Sequence, residues 1–336
     1  MKAAVFRGAG KPLSIETLDD PKPGPNDVII QVQRCGICGT DVHMTAGHRW
    51  AYPVGCVPGH EYAGEIVEVG SRVEGFKVGE RITALPSLGC GRCDACAQGN
   101  LVLCHHRGGV MGGFGEYLCV PTEVAVKLPS TFSLADGALI EPFAVGLYGV
   151  RMAAIRPGDR VLVLGGGSVA LATLFWARRL GAGRIVALSR SPRRAALALE
   201  MGADAFIPAS DHEVEEVIEE LGRSPDIVFE CVGATGLLSR AIQHAGVLGQ
   251  VLSLGFCTSP DTLVPALAAY KGVRLSFPVG YSLRDFEFVA DTLLAGRADP
   301  KRLISSVVSL DELPGALEAL RGPNTETKVQ VSLAGL

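Results

Sequence analysis

The 336-residue sequence predicts an α/β protein in two parts, a β-rich part with long loops and a doubly wound parallel sheet. Three observations carry this. The length exceeds the roughly 250–300 residues at which a single core usually stops growing, so two domains are expected. Alternating apolar segments punctuated by turn residues dominate up to Leu128. From about residue 143, helical segments alternate with short, continuously apolar runs, as buried parallel strands and their crossover helices should. Hydrophobic residues make up 48% of the chain, enough for two cores, and the 42 glycines follow no Gly-X-Y period.

In the first part, Val28–Gln33 alternates after the turn-prone stretch Pro21–Asp27. Tyr62–Val69 and Arg81–Leu85 are further strands, with Gly70, Gly75 and Gly79 between them, and residues 114–128 read as short strands. A helix is expected over Phe143–Ile155. Strand Arg160–Leu164 follows, then helix Val169–Leu180, strand Arg184–Leu188 and helix Arg193–Met201. After these come strand Ala205–Ile207, the acidic helix Glu213–Leu221, strand Ile227–Cys231, helix Gly236–His244, and strands Gln250–Leu254 and Val273–Phe277. A last helix, Phe286–Ala295, and a last strand, Lys328–Ser332, are placed to return to the first part. The expected domains are therefore 1–143 with 284–336, and 144–283. No internal repeat or low-complexity segment interrupts them.

The formal charge of −4 and the absence of a basic block argue against nucleic acid and anionic membrane as partners. The first residues lack the apolar region of a signal peptide. The uncharged run Val161–Ala177 falls short of the roughly 18–20 residues of a membrane span and contains three consecutive glycines. A soluble, cytoplasmic protein is expected.

Four of the ten cysteines lie close together: Cys90, Cys93, Cys96 and Cys104, spaced C-x2-C-x2-C-x7-C. Gaps of two residues let successive thiolates face one centre, and four thiolates close a tetrahedral zinc shell, so a structural zinc lobe is expected at about 89–105. An iron–sulfur cluster takes the same ligands, but nothing else in the chain indicates electron transfer. A second set begins with Cys35-Gly-Ile-Cys38-Gly-Thr40-Asp41-Val-His43, continues with Gly59-His60-Glu61, and has Glu141-Pro142 downstream. It offers one soft and several harder donors, as a catalytic zinc with three protein ligands and an open position needs. Taken alone, Cys35 and Cys38 also fit a redox pair, and His60 an ordinary loop histidine.

Strand Val161–Leu164 runs into Gly165-Gly166-Gly167-Ser168-Val169-Ala170, a G-x-G-x-x-A turn that follows a strand and opens a helix. Such a turn brings backbone close to a dinucleotide pyrophosphate at a helix N-terminus. At the end of the next strand an acid would bind the ribose 2′-hydroxyl of NAD. Ser189 stands there instead, followed by Arg190, Arg193 and Arg194, whose guanidinium groups suit a 2′-phosphate. NADP(H) is therefore expected over NAD(H).

These motifs, in this order, resemble the zinc-containing medium-chain dehydrogenase/reductase family, especially its polyol and threonine dehydrogenase branch. The resemblance runs from the first residues to the last strand. It implies a GroES-like catalytic domain, a Rossmann domain and two zinc ions per chain, one catalytic and one structural. By this resemblance Cys38 and His60 ligate the catalytic zinc. Glu141 is the preferred third ligand, with Glu61 an alternate or exchanging one, and Asp41 orients the ligating histidine. Thr40 and His43 match a proton relay that runs through the cofactor ribose. Cys231-Val232 and Leu254-Gly255 match loops that touch the nicotinamide half of the cofactor. His48, Trp50 and Tyr52 fall between the two zinc-binding segments and are candidates for a substrate pocket. The implied reaction is hydride transfer between NADP(H) and a secondary alcohol or polyol, or its ketone, in a homodimer or homotetramer. A zinc-free alkene or quinone reductase on the same fold and a non-catalytic zinc-binding relative are the alternatives.

Overall fold

The chain opens with a hairpin of β1 (Lys2–Val5) and β2 (Ser14–Thr17). The computed structural model describes residues 1–47, 49–296 and 299–333. It divides into two compact units, Met1–Ala144 with Gly280–Leu336, and Val145–Val279.

The first unit is organised around β3 (Asp27–Gly36), whose apolar residues Val28, Ile29, Ile30 and Val32 are buried. On one side β3 pairs with β4 (Glu61–Val69), and the sheet continues through β5 (Arg81–Ala84) to β9 (Ala125–Leu128). β8 (Tyr117–Pro121) also pairs with β3. A short two-stranded piece, β6 (Ser87–Leu88) with β7 (Gly108–Gly109), flanks the cysteine-rich segment. On its other side β3 takes β17 (Lys328–Ser332) antiparallel, and β17 takes β16 (Ile304–Ser309) parallel. The last strand of the chain thus lies beside one of the first.

The helices of this unit include α1 (Gly39–Ala46), α2 (Asp94–Ala97), α3 (Leu134–Gly137), and α10 (Leu283–Leu294), which starts three residues before the expected Phe286. Ser282 caps it, with Asp285 reciprocating in a capping box. A short helix, α11 (Leu313–Ala319), precedes β17.

Helix α4 (Ile140–Ala153) carries the chain into the second unit. It begins three residues before the expected Phe143, because a proline at position 142 is tolerated in a first helical turn. There a six-stranded parallel sheet has the order β12-β11-β10-β13-β14-β15. Its strands are β10 (Arg160–Leu164), β11 (Arg184–Ser189), β12 (Ala205–Pro208), β13 (Ile227–Glu230), β14 (Gln250–Ser253) and β15 (Arg274–Ser276). This is the doubly wound order, which reverses between β10 and β13. The connections are α5 (Ser168–Arg179), α6 (Ala195–Glu200), α7 (Glu213–Leu221), α8 (Leu237–His244) and α9 (Pro265–Lys271). Helix α6 starts two residues after the expected Arg193, because Ser191 and Pro192 initiate a 3-10 turn over Pro192–Arg194.

Leu162, Val186, Leu188, Val228 and Val251 of the sheet pack with Val217 and Leu221 of α7 and Ile242 of α8. Each large apolar side chain buried in this way contributes about 1.5–3 kcal/mol. Helix α5 is buried from Ala170 through Ala177. Among the described residues no helix is long and apolar enough to cross a membrane.

A buried polar cluster ties α7 to α8. Arg240 grips both oxygens of Glu213, and His244 Nε2 lies 3.1 Å from Glu213 Oε1. Burial holds the His244 imidazole below its ordinary pKa, with Glu213 opposing in part. Burial opposes ionisation of Glu213, but Arg240 and His244 outweigh it and hold that carboxyl below its usual range. Below about pH 6.5 the unfolded chain binds a proton that the folded His244 refuses, so stability falls as pH falls through that window. Glu213 adds a further loss at lower pH, by the same sign. The melting temperature of the protein should therefore drop between pH 7 and 5, and His244→Gln should flatten the upper part of that drop. An unchanged slope in the variant would refute the assignment.

Candidate functional site

Gly36 ends β3, and Cys38 caps α1 two residues later, its Sγ accepting from the Thr40 amide at 3.4 Å. Asp41 completes a capping box by accepting from the Cys38 amide at 2.9 Å. His60 immediately precedes β4, and Glu61 opens the strand opposite Gly36. A Cβ on Gly36 would lie 2.0 Å from Glu61 Oε2, so a side chain there would displace the carboxylate. The result is a trio: the ligand atoms of Cys38, His60 and Glu61 all lie within 4.8 Å of one another. Cys35 is fully buried in β3 and is not part of it.

The surroundings of the trio are buried and charged. His60 Nδ1 is 3.5 Å from Asp41 Oδ1, which leaves Nε2 as the nitrogen that can face a metal. Tyr52 donates its hydroxyl to the same Asp41 oxygen at 2.7 Å. Burial disfavours protonation of His60, yet Asp41 and Cys38 together hold its pKa well above the ordinary value. Lys328 of β17 is 3% exposed, and its Nζ lies 2.6 Å from each Glu61 oxygen. Glu141 is next to this set, where Tyr281 donates to its Oε1 at 2.8 Å. Burial pushes Glu141 up to about 7, with the Glu61 charge adding to the shift. The buried ammonium of Lys328 offsets part of the negative charge that Asp41, Glu61 and Glu141 bring to the site. One sulfur, one imidazole and buried carboxylates are a donor set that fits zinc with a position left open.

Lys328→Met is expected to lower stability by about 3–5 kcal/mol, because it leaves Glu61 buried and without its cation. Thermal unfolding measures this. If zinc compensates for the missing ammonium, adding zinc should recover more stability in the variant than in the parent.

Cys90, Cys93, Cys96 and Cys104 likewise bring their sulfurs within 4.8 Å of one another. Cys93 caps α2, and Gly91 and Gly99 take positive φ where the loop turns back on itself. A Cβ on Gly89 would sit 2.6 Å from Cys96 Sγ, so the wrap needs glycine there. The amide of Arg92 helps hold the Cys90 thiol down at about 6, whereas burial pushes Cys96 up to about 11. All ten cysteines are free.

In the second unit the glycine turn links β10 to α5. Gly165 has φ +124°, and Gly167 is the N-cap of α5. A Cβ on Gly166 would meet Ser189 Oγ at 3.4 Å and Arg194 Cδ at 3.7 Å. Arg194 Nη1 donates to the Gly166 carbonyl at 3.3 Å, so serine, arginine and turn converge. Ser168 and Val169 begin the helix, and Arg190 is exposed. The segments at Cys231–Gly233 and Leu254–Phe256 abut, since a Cβ on Gly255 would lie 2.1 Å from the Gly233 amide.

Two sequence profiles match the chain. One is the alcohol dehydrogenase GroES-like domain over residues 24–130, the other zinc-binding dehydrogenase over 168–295. L-threonine 3-dehydrogenase of Rhizobium etli is 30% identical, with 97% of this chain and 96% of the relative covered. (R,R)-butanediol dehydrogenase of Bacillus subtilis is 34% identical over 93% and 94%. The chain belongs to the zinc-containing medium-chain dehydrogenase/reductase family. Its relatives place it in the polyol and threonine dehydrogenase branch. The crystal structure of a zinc-binding dehydrogenase from Sinorhizobium meliloti, bound to NADP, superposes with a TM-score of 0.90 at 33% identity, covering 99% of both chains.

Several residues of this dehydrogenase escaped the sequence reading. Lys328 and Tyr281, which hold Glu61 and Glu141, are among them. Another is Glu230, whose buried carboxylate accepts from the Val232 and Gly233 amides and from Ser253 Oγ, joining both loop segments. Arg321 donates to the Val42 carbonyl and to Thr45 Oγ1, fastening the end of α1. Thr40 and His43 lie on that helix, three residues apart and partly buried. Of the pocket candidates, Trp50 is 56% exposed. Tyr52 is 6% exposed with its hydroxyl committed to Asp41, beside the trio of Cys38, His60 and Glu61. His48 lies outside the described residues.

Proposed function

We propose that this family member is a zinc-dependent, NADP-preferring dehydrogenase that interconverts a secondary alcohol or polyol and its ketone. The observation that carries the reading is the Cys38, His60 and Glu61 trio with its buried supports. Cys38 and His60 would hold a catalytic zinc, with Glu61 or Glu141 as the third ligand, and Cys90, Cys93, Cys96 and Cys104 a second, structural one. When bound, zinc supplies a Lewis acid that lowers the pKa of an alcohol hydroxyl, and the nicotinamide supplies the hydride acceptor or donor.

The chain's own residues do the rest. Asp41, itself held by Tyr52, fixes the imidazole of His60. Thr40 accepts the hydroxyl proton, and His43, three residues along the same helix, passes it towards solvent. Gly165, Gly166 and Gly167 admit the pyrophosphate, while Ser189 and Arg194, with Arg190 nearby, receive the 2′-phosphate. The segments Cys231–Val232 and Leu254–Gly255 border the nicotinamide half. Glu141 favours a polyhydroxylated substrate and Trp50 an apolar one. A cytoplasmic homodimer or homotetramer completes the reading, and light scattering tests its assembly.

The deciding experiment is a panel of secondary alcohols, polyols and ketones with both cofactors, followed by nicotinamide absorbance. Threonine and (R,R)-butanediol head the panel. Metal analysis accompanies it, with two zinc ions per chain expected. Reduction of alkenes or quinones by a zinc-free preparation would overturn the reading.

A further inference from the structure

A separate cleft of about 370 Å³ opens in the first unit, and it shares no residue with the zinc trio or the cysteine lobe. That volume suits a small metabolite. A bulge in β3 sets Gln33 and Arg34 together against Ala63 of β4, and both line the cleft. Arg81 of β5, Ser332 at the end of β17, and Ser133 and Leu134 at the start of α3 supply the other walls.

The lining contains two guanidinium groups and no carboxylate. Arg81 spends Nη1 on the carbonyls of Ser130 and Phe132. Arg34 Nη1 is buried with no hydrogen-bond partner. The nearby acids do not answer these charges. Glu65 stands opposite Arg81 in the β4–β5 ladder, and no ion pair joins the two among the described residues. Asp136 accepts from Ser133 Oγ at 2.5 Å and lies 3.5 Å from Lys301, both through Oδ2, while its Oδ1 is buried and makes no hydrogen bond to Arg34. A buried cationic donor without an acceptor is rare in a folded protein and marks a place where a partner is missing. Paired arginines match the planar, two-oxygen geometry of carboxylate and phosphate.

We infer that this cleft binds a small organic anion, a carboxylate or a phosphate ester, through Arg34 and Arg81. Leu134 gives the anion's carbon body an apolar contact. The inference does not depend on the substrate or cofactor assigned above.

Calorimetric titration of the full-length protein tests it. The protein is first saturated with its nicotinamide cofactor so that the nucleotide phosphate site is filled. Inorganic phosphate, glycerol 3-phosphate and butyrate are then titrated at an ionic strength fixed with chloride. One site per chain is expected, with Kd rising about tenfold or more in both Arg34→Met and Arg81→Met. Tighter butyrate binding assigns a carboxylate ligand, and tighter glycerol 3-phosphate binding assigns a phosphate ester. Arg34 sits in a central strand, so circular dichroism checks folding, and Arg81→Met carries the test alone if Arg34→Met does not fold. Absence of binding by all three anions, or binding unchanged in the folded arginine variants, overturns the inference.

Discussion

Cys38→Ala is expected to leave one zinc per chain in place of two, and to lower kcat/KM on the alcohol by at least about 10³-fold, or roughly 4 kcal/mol of transition-state stabilisation. Cys38 supplies the trio's only sulfur. Without it, His60 and two carboxylates remain, and both are already engaged, Glu61 by the ammonium of Lys328 at 2.6 Å from each oxygen and Glu141 by the Tyr281 hydroxyl. One imidazole and carboxylates already committed to other partners, with no sulfur, hold zinc too weakly to keep it with a position open. The substitution has a second effect that must be separated from the first. Cys38 also caps α1, so alanine costs about 1 kcal/mol of stability through the lost cap. Cys38→Ser restores a capping oxygen and not a soft zinc donor. It should recover most of the melting temperature while staying as inactive as the alanine variant. Metal content by mass spectrometry, melting temperature and initial rates together make the distinction. An alanine variant that kept its activity would remove Cys38 from the mechanism.

The parts of this structure that could be read from sequence are those whose physics is local. β10 reads as a run of apolar residues because both faces of a central parallel strand are covered, and the glycine turn after it keeps its spacing whatever surrounds it. The four cysteines of the lobe lie within fifteen residues, so their convergence needs only loop geometry. α1 was less legible. Thr40, Val42 and Thr45 are poor helix formers, and a cysteine is an unusual cap, so nothing in the local sequence marks this segment as a helix. β16 alternates half-buried and exposed residues, Ile-Ser-Ser-Val-Val-Ser, without a clear apolar face, and its place at a sheet edge was hidden. The supports of the zinc trio were out of reach for a different reason. Lys328 meets Glu61 across 267 positions of sequence, and Arg321 meets Val42 across 279. No local pattern distinguishes a lysine destined for a buried ion pair from one on a strand end in water.

Ser189→Asp is expected to shift the ratio of kcat/KM for NADPH over NADH by about 10²-fold or more towards NADH. Ser189 ends β11 beside the glycine turn, and the Cβ position of Gly166 is 3.4 Å from its hydroxyl. A carboxylate there would face the 2′-phosphate of NADPH, and juxtaposed like charges cost several kcal/mol. The same carboxylate can hydrogen-bond the 2′-hydroxyl of NADH, so the two cofactors move in opposite directions. Arg194 limits the size of the change, because its guanidinium already reaches the Gly166 carbonyl and can pair with the new acid. Arg194→Ala removes that compensation and the phosphate partner together. Alone it should raise the KM for NADPH with little change in kcat, the signature of lost uniform binding, and leave NADH nearly unaffected. Arg190, being exposed, is screened by salt and should matter less. The wild-type KM for NADPH should rise with ionic strength more steeply than that for NADH, since only one carries the extra phosphate charge. A wild-type enzyme with the higher kcat/KM on NADH, or a Ser189→Asp enzyme with an unchanged ratio, would show that the serine and the arginine do not read the 2′ position.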